Sequence, residues 1–200
     1  MKLLLVDPSP ELCAEWLQHF VHGGAEVQLG RFESVSDADG LVTAGNSFGL
    51  MDGGVDLALA RFASGIEYDV QRRIRDDWHG ELPVGSALSV PLGSEHSLTY
   101  RRLIYAPTMR VPLDIRGTDN IYKAMWAALA EAGPYGIKAL VLPGLGTGAG
   151  RVPPDEAARL MSLAWRNWCR VPERMTWDIA NRRHHEIDLG CCGSWVSHDR

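Results

Sequence analysis

Short, continuously apolar runs alternate with stretches of helical periodicity along nearly the whole chain, and that alternation restricts the fold more than any other feature. Lys2–Val6 is apolar and is ended by Asp7-Pro8, which suits a strand. Ser9 then stands where it can cap a helix with Pro10 at the first position, and Leu12, Trp16, Leu17 and Phe20 give that helix one apolar face before Gly23-Gly24 stops it. Further strands are expected over Glu26–Leu29, Gly40–Ala44, Gly85–Pro91, Leu103–Ala106, Ala139–Leu142 and Met175–Ile179. Helices are expected over Asp56–Phe62, Tyr68–Trp78, Asn120–Ala132 behind Thr118 or Asp119, and from Pro153-Pro154 to about Trp168. Strands that alternate with helices and are apolar on both faces predict a mostly parallel sheet covered on both sides. The fold class is therefore α/β, a three-layer α/β/α sandwich around a mixed, mostly parallel sheet of about six strands. At 200 residues the chain has room for one such domain, expected over residues 1–181, with the polar stretch 182–200 as an irregular tail or flap.

Charge and cysteine usage exclude several function classes. Lys plus Arg number 20 against 25 Asp plus Glu, a formal charge of −5 with no basic stripe, so no duplex nucleic-acid partner is expected. No apolar run approaches the ~20 residues that span a bilayer, and the run at Met1–Val6 is too short for the apolar region of a signal peptide. No membrane partner is expected, and the location is expected to be cytoplasmic. The four cysteines, Cys13, Cys169, Cys191 and Cys192, form no CxxC pair and suggest no disulfide framework. His184, His185, Cys191 and Cys192 do not follow zinc-finger spacing, so neither a metal nor any other cofactor is expected. Trp16, Trp126, Trp165 and Trp168 lie on expected helices and read as core.

Glycine is the unusual count, 21 in 200 residues, above the roughly 7 % average. Its clustering matters more. One segment, Thr43-Ala44-Gly45-Asn46-Ser47-Phe48-Gly49-Leu50-Met51-Asp52-Gly53-Gly54-Val55-Asp56, leaves an expected strand and enters an expected helix. A second, Leu142-Pro143-Gly144-Leu145-Gly146-Thr147-Gly148-Ala149-Gly150-Arg151-Val152-Pro153, does the same later. In open α/β sheets ligands bind at the carboxyl ends of strands, where such loops lie. Backbone free of side chains lets successive N–H groups turn toward one anion, so two such loops can clamp a diphosphate. Neither loop is a P-loop, since GxxxxGK[ST] is absent, and neither matches GxGxxG. Two polar side chains stand out in the first segment. Asn46 offers a donor and an acceptor suited to ribose hydroxyls, or else only turns the loop; Asp56 stands where a carboxylate could orient a hydroxyl or polarise a water, though taken alone its position reads first as a helix cap.

These residues resemble the macrodomain family, which binds ADP-ribose. Val42-Thr43-Ala44-Gly45-Asn46 followed by Gly53-Gly54-Val55-Asp56 is similar to the family's V-N-A-A-N…G-G-G-V-D signature, and Leu142–Gly148 is similar to its second phosphate loop. The likeness runs from about residue 26 to 180. It implies that Asn46 and Asp56 are the catalytic pair, beside the distal ribose, at the ten-residue spacing of the hydrolase-type branch. It implies that Gly45, Gly53, Gly54 and Val55 on one side, and Gly144, Leu145, Gly146, Thr147, Gly148, Ala149 and Gly150 on the other, hold the diphosphate and ribose. The adenine side would fall to Arg31 and Phe32, where the family carries G-D-I and this chain has Gly30-Arg31-Phe32. Thr43 stands in place of the family's first asparagine and Asp52 in place of a third glycine. The implied function is binding of ADP-ribose, or of a mono-ADP-ribosylated substrate, with metal-free hydrolysis of mono-ADP-ribose linkages or ADP-ribose derivatives. The alternative is a non-catalytic reader of ADP-ribose or a related NAD-derived signalling nucleotide.

Overall fold

The computed structural model describes residues 1–21, 24–93 and 100–187. Six strands form one sheet: β1 (Lys2–Asp7), β2 (Ala25–Leu29), β3 (Gly40–Thr43), β4 (Leu88–Pro91), β5 (Arg102–Tyr105) and β6 (Ala139–Leu142). Their spatial order is β2-β1-β6-β3-β5-β4, and every pairing is parallel except β4 with β5. Among the described residues six α-helices accompany them: α1 (Pro10–His19), α2 (Gly54–Phe62), α3 (Ile66–Trp78), α4 (Asn120–Ala132), α5 (Pro154–Cys169) and α6 (Trp177–Ile187). A 3-10 turn, Phe32–Ser34, follows β2.

The period-2 pleat decides which layer each strand residue joins. Leu3, Leu5, Val42, Ile104, Leu140 and Leu142 pack with α1, α4 and α5, where Trp16, Met125, Leu129, Leu160 and Trp165 are buried. Their chain neighbours Leu4, Val6, Leu41, Leu103, Tyr105 and Val141 point the other way and pack against Leu59 of α2 and Val70 and Ile74 of α3. Hence the inner strands β1, β6, β3 and β5 are apolar on both faces, while the edge strand β2 is mostly exposed. The expected three layers and mixed sheet are present.

Local signals set most boundaries as the sequence suggests. The Ser9 hydroxyl accepts the Leu12 N–H at 3.2 Å, with Pro10 opening α1. Leu17 departs from expectation and is exposed, because the α1 contact with the core runs through Leu12, Cys13 and Trp16. The fourth strand starts at Leu88, not at Gly85. The strand expected at Met175–Ile179 is absent; Trp177 instead begins α6. Thr176 starts that helix through its carbonyl, which accepts the Ala180 N–H at 2.9 Å. The alternation of Met175, Trp177 and Ile179 misleads because Met175 and Trp177 face solvent. Arg183 fastens the helix to the carbonyls of Asn167 and Arg170, and Arg159 reaches the Glu186 carbonyl. Residues 182–187, expected to be irregular, are therefore helical; Cys191, Cys192, Trp195 and the rest of 188–200 lie outside the described residues. Among the described residues no helix is long and apolar enough to cross a membrane.

Asp39 ties the amino edge of the sheet together. Its carboxylate accepts the N–H of Ala139 at 2.8 Å and of Lys138 at 3.0 Å, while its carbonyl accepts the Arg101 N–H at 2.9 Å. One residue thus registers the starts of β3, β5 and β6. Asp39→Ala is expected to lower unfolding stability by roughly 1–3 kcal/mol, the cost of leaving such donors unmet. Chemical denaturation measures this, and ligand binding at the opposite, carboxyl edge should be unchanged.

Candidate active site at the carboxyl edge of the sheet

Because β6 lies between β1 and β3, the loops that follow these three strands meet at one edge. They form a cleft lined by Asp7, Ala44, Gly45, Asn46, Leu50, Asp52, Gly53, Gly54, Val55, Asp56, Thr108, Met109, Pro112, Pro143, Gly144, Gly146, Thr147, Gly148, Ala149 and Gly150. The two glycine-rich segments, about 90 residues apart in sequence, thus face a common space. Of the expected site residues, Leu145 is wholly buried and is not among the lining residues. Arg31 and Phe32 are also outside the lining: Arg31 is exposed, and Phe32 is buried beneath the Tyr100 hydroxyl, which donates to its carbonyl.

The first segment is held against the exit of β5. Thr108 N–H donates to the Gly45 carbonyl and Ser47 N–H to the Met109 carbonyl, each at 3.1 Å. The Tyr105 hydroxyl accepts the Asn46 N–H at 3.0 Å and donates to the Asn46 carbonyl at 2.9 Å. Burial pushes the Tyr105 phenol well above its ordinary range, aided by the Asp56 charge, so it stays a neutral donor. A Cβ on Gly45 would overlap the Tyr105 ring, which explains a glycine where the chain must cross it. The Asn46 side chain shapes its own loop: its Nδ2 donates to the Leu50 carbonyl at 2.7 Å, and its Oδ1 accepts the N–H of Phe48 at 3.0 Å and of Leu50 at 3.3 Å. Both lone pairs of Oδ1 are engaged, leaving one Nδ2 hydrogen for a ligand.

The second segment is anchored by Asp7, whose Oδ2 accepts the Gly144 N–H at 3.0 Å and whose Oδ1 accepts the Ser9 N–H at 2.9 Å. Gly146 and Val152 then close the loop through a 3.1 Å bond, and the Gly150 carbonyl accepts the Ile115 N–H at 3.0 Å. Among the described residues, the N–H groups of Thr147, Gly148, Ala149 and Gly150 have no protein acceptor. Opposite them, α2 begins at Gly54 behind the cap residue Gly53, with no side-chain cap, so the N–H groups of its first turn are also open. Two sets of free donors on one cleft make an anion cradle. No lysine or arginine is among the lining residues; three carboxylates, Asp7, Asp52 and Asp56, are.

Asp56 is the third residue of α2 and is buried. Its carboxylate accepts the hydroxyl of Thr43 at the end of β3, a partner on another element, so a simple helix cap does not describe it. Burial pushes its pKa up to about 7; the Thr43 bond works against that push, while the nearby charges of Asp52 and Glu67 add to it. Asp7, Tyr105 and Thr108 are not among the site residues expected from the sequence, and Thr43 enters there only as the residue in place of the family's first asparagine. Each sits at or just past the carboxyl end of a strand, which is the signal that could have found them. Elsewhere, Glu15, His19 and Asp155 gather their ligand-type atoms within 4.8 Å of one another, and His19 pairs with Asp155 at 2.8 Å; none of them lines the cleft.

A carboxyl raised above its unfolded value favours folding while it is protonated. Its contribution is complete below about pH 4 and is lost as pH rises through about 7. The thermal midpoint of the protein is therefore expected to fall relative to that of Asp56→Asn between pH 4 and pH 8. A difference that stays constant across this range in paired thermal melts would show that the carboxyl does not titrate there.

Known proteins resemble both the sequence and the fold. The Macro domain family model matches residues 42–161. An uncharacterized protein of Aquifex aeolicus is 37 % identical over 125 residues, covering 62 % of this chain and 71 % of its own. Another, of Pyrobaculum aerophilum, is 31 % identical over 151 residues, covering 74 % and 78 %. Among solved structures, the macrodomain of Mycobacterium tuberculosis DarG superposes with a TM-score of 0.59 at 19 % identity, over 70 % of this chain and 88 % of that one. A mutant Oceanobacillus iheyensis macrodomain with ADPR gives 0.57 at 20 % identity, over 67 % and 71 %. With more than half its length matched by the family model, the chain belongs to the Macro domain family.

Proposed function

We propose that the cleft binds ADP-ribose and hydrolyses the bond between its distal ribose and a substrate, or an ADP-ribose derivative at that position. The observation that carries this reading is a pair of glycines. Gly53 and Gly148 have neither a positive φ nor any atom within 4 Å of where a Cβ would stand, so the fold itself does not require glycine at either place. Both line the cleft beside the open N–H groups. Gly53 also serves as the cap residue of α2, a place that glycine suits, so Gly148 is the sharper sign; open space over unpaired backbone donors admits a molecule that approaches the backbone closely, and a diphosphate suits a cradle of donors without cations. Each charge-assisted bond contributes ~1.5–3 kcal/mol net, so several support micromolar binding, which needs about 8 kcal/mol. A related macrodomain has been solved with ADPR and another form with ADP, in line with this chemistry.

With the diphosphate between α2 and the second loop, the distal ribose falls beside Asn46 and Asp56. Asn46 would offer its remaining amide hydrogen to a ribose hydroxyl. Departure of the group on C1″ leaves positive charge on the ring, and an ionised Asp56 lowers the energy of that cation. As the C1″–O bond to the leaving group breaks, a water bonds to C1″ on the open face, and the proton it loses ends on the departing oxygen. Both loops contribute by fixing the sugar against the carboxylate. Because the acting form is the carboxylate, turnover should rise with pH through the neutral range.

Gly148→Val is expected to change unfolding stability by no more than ~0.5 kcal/mol while weakening ADP-ribose at least tenfold in calorimetry. Unchanged affinity would remove the basis of this reading. Asp56→Ala should lower release of ADP-ribose from a mono-ADP-ribosylated protein by two orders of magnitude or more, roughly the worth of one electrostatic group in a closed site. Tight binding by the unaltered protein with no product at any pH would make it a reader of ADP-ribose, not a hydrolase.

A further inference from the structure

Thr43 is the last residue of β3 and is wholly buried. It shares strand parity with Leu41, which packs in the layer of α2 and α3, so its side chain points toward the helix that carries Asp56. Its carbonyl is fixed by the Ala106 N–H at 3.0 Å, and a β-branched side chain on a pinned backbone has little torsional freedom. The hydroxyl it presents donates to Oδ1 of Asp56 across 13 residues of chain. That bond occupies one carboxylate oxygen and leaves Oδ2 as the one free to meet a ligand. Resting on the reading of Asp56 given above, we propose that Thr43 is a positioning residue: its hydroxyl orients the Asp56 carboxyl in the cleft and sets the pH range over which the site works.

The groups around Asp56 make this hydroxyl decisive. Asp52 precedes it in the first loop, and Glu67 of α3 holds the Met51 N–H and Gln71 Nε2, each at 3.2 Å. Both are acidic and disfavour a second negative charge. Tyr105 of β5 is neutral. With no lysine or arginine among the cleft residues, Thr43 alone among these side chains favours the ionised form. Valine has nearly the shape of threonine but no hydroxyl, so it separates packing from hydrogen bonding.

The test uses the full chain with Thr43→Val, Thr43→Ser and Asp56→Asn. Thermal melts across pH 4 to 9, each referred to Asp56→Asn, read the titration of Asp56 without requiring activity. Turnover of a mono-ADP-ribosylated protein across the same range reads it at work. Thr43→Val should move the midpoint up by about one pH unit in both, the shift expected from losing one hydrogen bond to a charged acceptor. Thr43→Ser should keep the wild-type midpoint. A Thr43→Val profile that superposes on wild type, or a Thr43→Ser profile displaced as far as that of valine, overturns the proposal. Should Thr43→Val fail to fold, Thr43→Ala carries the same comparison. A wild-type protein that ignores ADP-ribose defeats the functional reading alone, since the thermal titration still judges Thr43.

Discussion

The insertion of β6 between β1 and β3 is the constraint on which the rest depends. β6 pairs in parallel with both neighbours, Leu3 beside Leu140 and Leu41 beside Val141, so all three strands deliver their following loops to the same edge. That register places Asp7 under Gly144 and sets the second glycine loop opposite the amino end of α2. The two halves of the cleft are built from segments that could not find one another through local structure. Asp39, clamping the other ends of β3, β5 and β6, holds the same register from the far edge.

Glycines around the cleft divide into two physical kinds. At Gly45 a Cβ would strike Tyr105, and at Gly150 it would strike the Gly146 backbone; these positions are needed to fold the loops. Gly53 and Gly148 are under no such demand. At Gly53 glycine suits the cap of α2, whereas at Gly148 it brings the chain no stability of its own, since the flexible unfolded state is favoured. The second kind therefore points to what occupies the cleft, and it cannot be told from the first kind by reading the sequence.

The layers, the parallel pairing and the position of both loops were legible because each rests on local pattern: apolar runs of strand length, a capping serine, a proline at a helix start. Site details were less so. For Asn46 the sequence leaves a ligand contact and a turn-forming role both open, and the turn of its own backbone brings Phe48 and Leu50 within reach of its side chain. Arg31 was assigned by motif alignment to the nucleotide, but the chain past β2 dips Phe32 into the core and leaves the arginine outside the cleft. Thr43 stands out in the sequence only as a departure from the family's first asparagine, and the approach of α2 gives its hydroxyl a partner. Met175, Trp177 and Ile179 alternate like a strand, but the sheet has no place for them and the polar residues that follow favour a helix anchored by Arg183.

Electrostatics then selects among chemistries that the cradle alone would allow. A cleft that gathers Asp7, Asp52 and Asp56 without a cation is poorly suited to hold a bare phosphate tightly, because an added negative charge meets acidic side chains already there. Donors from backbone N–H groups offset this only when several converge, as they do along 147–150 and at the start of α2. The same carboxylates become favourable when the bound molecule develops positive charge. A ligand with an anionic middle and an end that turns cationic as a bond breaks satisfies both halves of the cleft. Burial keeps Asp56 close to the neutral point between its two forms, so a nearby cation can draw it into the charged form at small cost. On the proposed reading, the acidity that opposes binding of the ground state would favour the ribosyl cation, and Asp56 at the first turn of α2 takes part in both effects.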